Sequence, residues 1–316
     1  MWSARSLWTI NLAGLALYVF LTWDAVRTGV PVWLVVVGVP LVYFGIVVLM
    51  TCAYFFIACV FRSVPPRDVR LDARGVARLF VTELWSLTFA AYRMMFYRWI
   101  AQDSKPARAE VPVLLVHGVL CNAGVWDRLM RYLRRRGVGP LYVISYGPPL
   151  HGIDSFAEQL ASRIDAVLAQ TGARQVVLVT HSMGGLVTRA YVARYGASKV
   201  RRAVTIAAPH HGSVHAWLFV GACLAQMRPG NAWLDALNAK ATCNPPPLAC
   251  IWSWHDSMVA PQTSSRLEGA VDIPIAGVGH TAMLADRDVF ALVLEQLALA
   301  GVDGASRVAD VAESKA

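Results

Sequence analysis

Charged residues are scarce in this chain. Of its 316 residues 16% are charged and 56% are hydrophobic, a balance too apolar for an ordinary soluble domain. Acidic residues are scarcer than basic ones: 20 aspartates and glutamates stand against 29 lysines and arginines, which gives a net charge of +9. Nucleic-acid-binding modules and internal repeats are both missing, so the positive charge does not indicate a nucleic-acid partner. The six cysteines form no disulfide framework, and outside the long apolar stretches only Cys243 and Cys250 lie close in sequence.

Two long stretches near the N-terminus carry no charge at all. Residues 7–23 make a stretch of 17, at the short limit for crossing a bilayer, and residues 31–61 make one of 31. Tryptophans lie near the stretch ends, as interfacial anchors do. The first stretch is apolar enough for a signal peptide, but no small-x-small cleavage site follows it and the second stretch begins at once. We therefore expect a transmembrane helical hairpin over residues 1–63.

The charges around these stretches predict their orientation. The turn that joins them, residues 24–30, holds one basic residue, Arg27. Two aspartates and five arginines follow the second stretch, the arginines being Arg62, Arg67, Arg70, Arg74 and Arg78. Because basic loops stay on the cytoplasmic side, the N-terminus and the rest of the chain are both predicted to face the cytoplasm. In an inverted orientation, Cys243 and Cys250 would be the obvious disulfide.

A helical pattern follows over residues 71–99, inside a segment, 64–109, that we expect to be a juxtamembrane amphipathic helix and linker. Apolar residues recur there at steps of mostly three or four: Val76, Phe80, Leu84, Leu87, Ala91 and Met94. Arg74, Arg78 and Glu83 fall largely off that stripe. The pattern fits a helix in the membrane interface and equally a helix packed on the following domain, and both interpretations stay open.

A serine stands where an apolar strand turns into a helix. The run over residues 175–181 stops at Ser182, and Met-Gly-Gly-Leu opens the next helix. Such a turn lifts the hydroxyl out of the sheet at a helix N-terminus, where the amide of Met183 can stabilise an oxyanion. The pattern departs from G-x-S-x-G because Thr180 occupies the position of the first glycine. The alternative is an ordinary strand-to-helix turn with a chance serine.

Three other strand ends carry residues that suit the same chemistry. His117-Gly118-Val119 follows a buried strand, and a backbone amide at such a point is the usual second oxyanion donor. Asp256 ends a short strand, and His280 ends another before the last helix. Serine, then acid, then histidine is the order of the triad in α/β-hydrolases.

The span from about residue 111 to residue 300 resembles bacterial lipases and esterases of the α/β-hydrolase superfamily. The matching pieces are Val-His117-Gly118-Val119, Thr-His-Ser182-Met-Gly-Gly, Ala208-Pro-His-His-Gly-Ser213, Asp256-Ser-Met-Val-Ala-Pro261 and Gly277-Val-Gly-His-Thr-Ala-Met-Leu284. The resemblance implies Ser182 as nucleophile, Asp256 as acid and His280 as base. It also implies an oxyanion hole made by the backbone amides of Val119 and Met183. It says nothing about the first hundred residues.

Strand and helix patterns alternate from residue 110 onward, which predicts a mostly parallel sheet with helices on both faces. Strands are expected at residues 111–117, 141–146, 175–180, 200–207, 250–254 and 273–278, and helices at 126–136, 155–170, 183–195 and 286–299. Ser155 and Glu158 have the spacing of a capping box. Together with the resemblance this predicts an α/β-hydrolase domain over residues 110–302, after two transmembrane helices. A lid or cap is expected at about 212–248, and a frayed tail at 303–316.

Other reactive side chains have weaker claims. His181 adjoins the serine and is expected to point away from it, and His255 is expected on the other side of its strand. Asp286 and Asp288 are typical first-turn helix acids. Cys121 has no base of its own, so a thiol nucleophile is not expected. No acidic or cysteine partner completes a metal site with the three neighbouring histidines His210, His211 and His215, so we expect neither a metal nor another cofactor.

Three functions remain open. The first is a lipase or esterase that acts on a lipid or another apolar acyl ester. It would be a multi-pass protein integral to a bacterial inner membrane, with a cytoplasmic catalytic domain. The second is a thioesterase, phospholipase or amidase on the same fold, and the third is a membrane protein that keeps the fold without catalysis. The apolar cap and the membrane hairpin favour the first. The oligomeric state is left open.

Overall fold

The computed structural model describes residues 2–240 and 245–305. Four helices come first: α1 (Trp2–Arg27), α2 (Val32–Val60), α3 (Ala73–Met95) and α4 (Tyr97–Ile100). By length and composition, α1 and α2 can each cross a membrane. At the rise of an α-helix they extend over about 39 and about 44 Å, against about 30 Å of bilayer hydrocarbon. The prediction of two apolar N-terminal helices is thus confirmed.

α3 packs lengthwise against α2 in the antiparallel sense. Phe55 of α2 meets Phe80 of α3 with ring centroids 5.7 Å apart, and Tyr43 meets Tyr92 at 6.1 Å. Asp72 caps the start of α3 by accepting an amide hydrogen bond of 2.7 Å, which satisfies one free donor of the first turn. The amphipathic helix expected after the hairpin therefore lies beside it.

Six strands form one parallel sheet: β1 (Val113–Val116), β2 (Leu141–Val143), β3 (Val176–His181), β4 (Val200–Ile206), β5 (Leu248–Ser253) and β6 (Val271–Ile275). Their order is β2-β1-β3-β4-β5-β6, and every neighbouring pair is parallel. β1 and β3 are buried along their whole length, so their sequences are unbroken apolar runs rather than alternating ones. The order reverses between β1 and β3, where open α/β sheets bind ligands at the carboxyl ends.

Helices cover both faces of the sheet. They are α5 (Asp127–Arg134), α6 (Ile153–Thr171), α7 (Met183–Tyr195), α8 (Ala222–Gln226), α9 (Ala232–Ala239) and α10 (Arg287–Leu299). α5 and α10 enclose one apolar core against the sheet, and α6 and α7 enclose the other. α8 and α9 belong to the insertion between β4 and β5. This confirms the predicted architecture, a parallel sheet with helices on both faces.

The six predicted strands and four predicted helices of this part all occur in the predicted order, with boundaries that move by three residues or fewer. α8 and α9 are additional helices, in the segment that was predicted only as a lid or cap. The capping box predicted at Ser155 is wrong. α6 begins at Ile153, so Ser155 lies inside its first turn. The free amide of Ile153 instead donates to Oε1 of Gln226 at 2.7 Å. A residue of the insertion between β4 and β5 therefore satisfies one free donor at the start of α6.

Both ends of the α1–α2 hairpin contact the α/β part of the chain. The hydroxyl of Ser3 donates to the carbonyl oxygen of Cys121 at 2.7 Å. Beyond α2, the amide of Ser63 donates to Oε1 of Gln262 at 2.8 Å. The loop between the two helices, which holds Gly29 at φ +105°, lies at the far end of the hairpin. The division of domains near residue 110 stays a prediction.

Candidate active site

Ser182 occupies the turn between β3 and α7. Its backbone has φ 54° and ψ −129°, a conformation that costs energy for a non-glycine residue and is typical of functional turns. The Ser182 amide donates to the carbonyl oxygen of Ile206 at 2.9 Å, which ties the turn to β4. A Cβ on Gly184 would lie 2.5 Å from the Val116 carbonyl oxygen, so only glycine lets α7 start this close to β1.

Asp256 and His280 meet at the carboxyl end of the sheet. Oδ2 of Asp256 lies 2.9 Å from Nδ1 of His280, and both residues are buried. Oδ1 of Asp256 also accepts the amides of Met258 and Val259, each at 2.7 Å, so the carboxylate is held from two sides. Burial by itself lowers the pKa of His280. The charge and hydrogen bond of Asp256, with the charge of Glu83, outweigh burial and raise that pKa above 6.5.

One cavity of about 350 Å³ brings Ser182 and His280 together. Within the described residues the serine hydroxyl makes no hydrogen bond to the His280 ring, a contact that often tightens only when substrate is bound. The rest of the lining is mainly apolar and comes from three regions. The α2 and α3 residues are Met50, Tyr54, Leu87, Ala90, Ala91 and Met94, and the cap contributes Phe219, Leu224 and Met227. The loops of the α/β part add Val119, Leu120, Val125, Val259 and Leu284.

Val119 lines the same cavity as Ser182, and Met183 follows Ser182 in the chain. Met183 opens α7, so its amide is one of the free donors at a helix N-terminus. Neither the Val119 nor the Met183 amide donates to a backbone acceptor in the described ranges. Gly118 sets the spacing, because a Cβ there would lie 2.9 Å from the Cβ of Ser182. The chain after β1 thus passes so close to Ser182 that a side chain at position 118 would clash with it.

His181 was expected to point away from the serine, and its ring contacts the loop of His280. Its Nε2 lies 3.1 Å from the carbonyl oxygen of His280, and the two rings are 4.6 Å apart at their centroids. Burial, with the nearby charge of His280, lowers the pKa of His181 well below its ordinary value. A neutral imidazole therefore packs against His280 and supports its loop.

The three histidines after β4 go to separate partners. His210 contacts Thr205 and Cys250, His211 contacts Asn238, and the ring of His215 donates to the Tyr54 carbonyl oxygen at 3.2 Å. No group of three metal-ligating side chains occurs in residues 2–240 and 245–305.

Several of the weaker candidates also have structural partners. Burial raises the pKa of Cys121 to about 12, so this thiol stays protonated near neutral pH. Nδ1 of His255 accepts the amide of Gly277 at 3.1 Å. Asp286 caps α10 through its side chain. Cys243 lies outside the described residues.

Sequence reasoning missed Glu83. It was expected on the polar side of α3, yet its side chain is fully buried beside the loop that carries His280. Its carboxylate accepts the amides of Thr281 and Ala282, both at 2.9 Å. The available signal was a lone acid in an otherwise apolar stretch of helix, which a surface position explains equally well.

A family model described as the alpha/beta hydrolase fold matches residues 111–242. Two triacylglycerol lipases are 36% identical to this chain. The one from Pseudarthrobacter phenanthrenivorans matches over 34% of this chain and 35% of its own length, and that from Burkholderia plantarii over 36% and 33%. A non-heme haloperoxidase of Rhodococcus erythropolis is 36% identical over 31% of this chain and 36% of its own. The chain thus spans about a third of the length of these curated relatives.

Solved structures agree on the fold. The mature lipase of Bacillus licheniformis superposes with a TM-score of 0.54 at 18% identity, covering 62% of this chain and 95% of that one. Lipase B of Aspergillus fumigatus superposes with a TM-score of 0.50 at 21% identity, covering 58% of this chain and 51% of that one. The part of the chain after the N-terminal helices therefore has the α/β-hydrolase fold.

Proposed function

We propose that this chain is a membrane-anchored serine hydrolase that cleaves carboxylic esters of apolar acyl groups. The observation that carries the proposal is the cavity, which holds Ser182 and His280 and is otherwise walled mainly by apolar side chains. An acyl chain laid along those walls would bring its ester carbonyl to the serine. A wall of this kind favours a fatty acyl ester over a polar substrate, because burying polar groups there without partners costs free energy.

In the proposed reaction the hydroxyl oxygen of Ser182 attacks the ester carbonyl carbon. Nε2 of His280 takes the hydroxyl proton, and Asp256 stabilises the imidazolium at Nδ1. The amides of Val119 and Met183 donate to the oxyanion, and each such donor is worth about 3 kcal/mol. The leaving alcohol then receives the proton from His280. A water molecule hydrolyses the acyl-enzyme by the same steps.

The surface of the N-terminal helices supports membrane anchoring. Large apolar side chains are exposed along α1 and α2. α3 continues this surface with exposed Trp85, Phe89 and Tyr92, and Trp85 stacks on Phe89 at 5.7 Å. Trp and Tyr side chains are enriched where hydrocarbon meets headgroups. The opposite face of α3 lines the cavity, so a lipid ester at the interface would lie close to Ser182.

The cap extends this apolar surface. Four consecutive large apolar residues are exposed there: Trp217, Leu218, Phe219 and Val220. Phe219 also lines the cavity, and the neighbouring His215 contacts α2 through the Tyr54 carbonyl. These contacts support a route by which an acyl chain enters between the cap and α2 directly from the bilayer.

The proposed location is a bacterial inner membrane, crossed twice, with the catalytic part in the cytoplasm. The arginines that follow α2 support this side by the positive-inside bias. Contacts of the α/β part with Ser3 and Ser63 are consistent with a hairpin, since both ends of a hairpin lie on one side of the membrane.

The test is covalent labelling of membranes by a fluorophosphonate, followed by a series of esters of increasing chain length. Ser182→Ala should lose labelling and lower kcat by roughly 10⁶-fold, because the nucleophile is gone. Ser162→Ala, at an exposed position on α6, should label as the wild type does. Matched thioesters, amides and phospholipids in the same assay separate the related activities. Turnover by Ser182→Ala close to that of the wild type would exclude this serine, and an unlabelled wild type would exclude a serine hydrolase.

A further inference from the structure

Glu83 is a fully buried acid that reaches the catalytic end of the sheet from a helix outside the α/β fold. It is the only acidic residue of α3, and its side chain is 0% exposed. Oε1 accepts the hydroxyl of Ser257 at 2.8 Å and the amide of Thr281 at 2.9 Å. Oε2 accepts the amide of Ala282 at 2.9 Å.

These partners lie next to catalytic candidates along the chain. Ser257 follows Asp256, and Thr281 follows His280. The hydroxyl of Ser257 also receives the His280 amide at 3.4 Å, so a single carboxylate touches both loops. It bridges the acid loop and the histidine loop from outside the sheet.

The fit of this carboxylate is close. A Cβ on Gly279 would lie 2.5 Å from Oε2 of Glu83, so the histidine loop wraps around the carboxylate at a point where no side chain fits. In the described ranges no lysine or arginine nitrogen lies within 4.0 Å of Glu83. A buried acid without a cationic partner stabilises a fold poorly, so stability alone is a weak reason for its place here.

We propose that Glu83 is a positioning residue, whose ionised carboxylate fixes the loop of His280 against that of Asp256. This inference rests on the proposed function. Glu83 itself touches neither the cavity nor the reacting atoms, and it acts through His280. The α/β part of the chain would thus depend on a residue of α3 for the geometry of its triad.

The carboxylate also sets the charge around the histidine. The titratable groups that face His280 are Asp256 after β5, Glu83 on α3, His181 at the end of β3 and His215 of the cap. Only the two carboxyl groups can supply negative charge there. Burial raises the pKa of Glu83 above its ordinary value, although the Thr281 and Ala282 amides, the charge of His280 and the Ser257 hydroxyl lower it in part. The Thr281 and Ala282 amides are hydrogen-bond donors only. An ionised carboxylate, which accepts on both oxygens, therefore matches them better than a protonated acid does.

The experiment compares Glu83→Gln with Thr88→Val. Thr88 is a buried polar residue of the same helix whose hydroxyl donates to the Leu84 carbonyl oxygen, and it is outside the triad loops. Both variants disturb the packing of α3, and only the first removes the charge and turns an NH₂ group towards backbone donors. The readouts are kcat and KM on one ester, and the rate of fluorophosphonate labelling at each pH.

For Glu83→Gln we expect kcat to fall by about 10- to 100-fold, the scale of a displaced catalytic group, with KM within about two-fold. The acid limb of labelling should move to lower pH, because His280 loses a neighbouring negative charge. Thr88→Val should leave kcat within about two-fold and the limb in place. If the acid limb of the labelling profile does not move in Glu83→Gln, the proposal is overturned, whatever the kcat of the variant.

Ser257→Ala keeps the test decisive if Glu83→Gln does not fold. It removes the hydroxyl that joins Glu83 to the His280 amide, so we expect kcat to fall by about 3- to 10-fold with KM unchanged. In a Glu83→Gln protein that does fold, adding Ser257→Ala should cost less than it does alone, since both act on one network. An unchanged kcat in Ser257→Ala, or full additivity, overturns the inference. A wild type that is not labelled refutes the proposed function instead.

Discussion

Replacement of Asp256 by asparagine tests the acid of the proposed triad. Oδ1 of Asp256 accepts the amides of Met258 and Val259, and an asparagine oxygen can keep both bonds. The asparagine NH₂ group then takes the place of Oδ2, which lies 2.9 Å from Nδ1 of His280. Two donors cannot share that contact. The ring must present a bare Nδ1 and carry its proton on Nε2, the wrong tautomer for a base that faces Ser182.

The expected loss follows from that tautomer. By analogy with other triads, kcat should fall on the order of 10⁴-fold, which is about 5 kcal/mol of activation free energy. KM should change little, because Asp256 does not line the cavity. The acid limb of the pH profile should move to lower pH as well. Asp256 is the largest of the influences that raise the pKa of His280, and its charge is lost in the variant.

The assay is ester hydrolysis across pH by enzyme in detergent or vesicles, with Asp286→Asn as the matched control. The Asp286 side chain caps α10 by accepting the amides of Asp288 and Val289, and asparagine caps a helix about as well as aspartate. The control should therefore keep kcat within about two-fold. A mild Asp256→Asn together with a damaging Asp286→Asn or Asp288→Asn would show that the acid has been misassigned.

Three further predictions concern topology, backbone spacing and chain length. A reporter that is active only after export, joined at the C-terminus, should stay dark in cells, and a signal from it would place the catalytic part outside. Gly118→Ala should lower kcat by about 10²-fold, because the new Cβ would lie 2.9 Å from the Cβ of Ser182, while the control Gly152→Ala should not. Equal kinetics of the two variants would argue against the close approach. Ala91→Phe should shift the preferred acyl chain to shorter esters, since Ala91 lines the cavity, and Val81→Phe at an exposed site should not; an unshifted preference in Ala91→Phe places the acyl chain elsewhere.

Sequence patterns were sufficient wherever the signal is local. The apolar run before Ser182 predicted β3 to within one residue at each end, because a strand buried on both faces must be continuously apolar. α7 was predicted with the boundaries that it has in the structure, since the glycines after the serine mark a tight helix start. Asp256 and His280 were chosen as strand ends, and parallel strands bring such ends to one edge of the sheet.

The features that were missed depend on contacts far apart in sequence. Glu83 meets Ser257 across 174 residues and Ala282 across 199, distances over which helical periodicity carries no information. A polar residue off an apolar stripe usually faces water. Here the side of α3 that carries Glu83 is instead covered by the loops of Asp256 and His280. His181 reached the His280 loop for a similar reason: the side taken by a residue at the end of β3 depends on how the neighbouring loops close over it.

These contacts bear on where the proposed catalytic unit begins. The linker near residue 110 separates the α/β pattern from the helices before it, and composition favours a domain boundary there. Packing argues for an earlier one, since α3 supplies four side chains of the cavity wall and the carboxylate that holds the histidine loop. A chain cut at the linker would lose both. If Glu83 acts as proposed, α3, the helix that we propose lies at the bilayer interface, also orders the loop of His280. The proposed catalytic unit then starts near Asp72, the cap of α3, and not at residue 110.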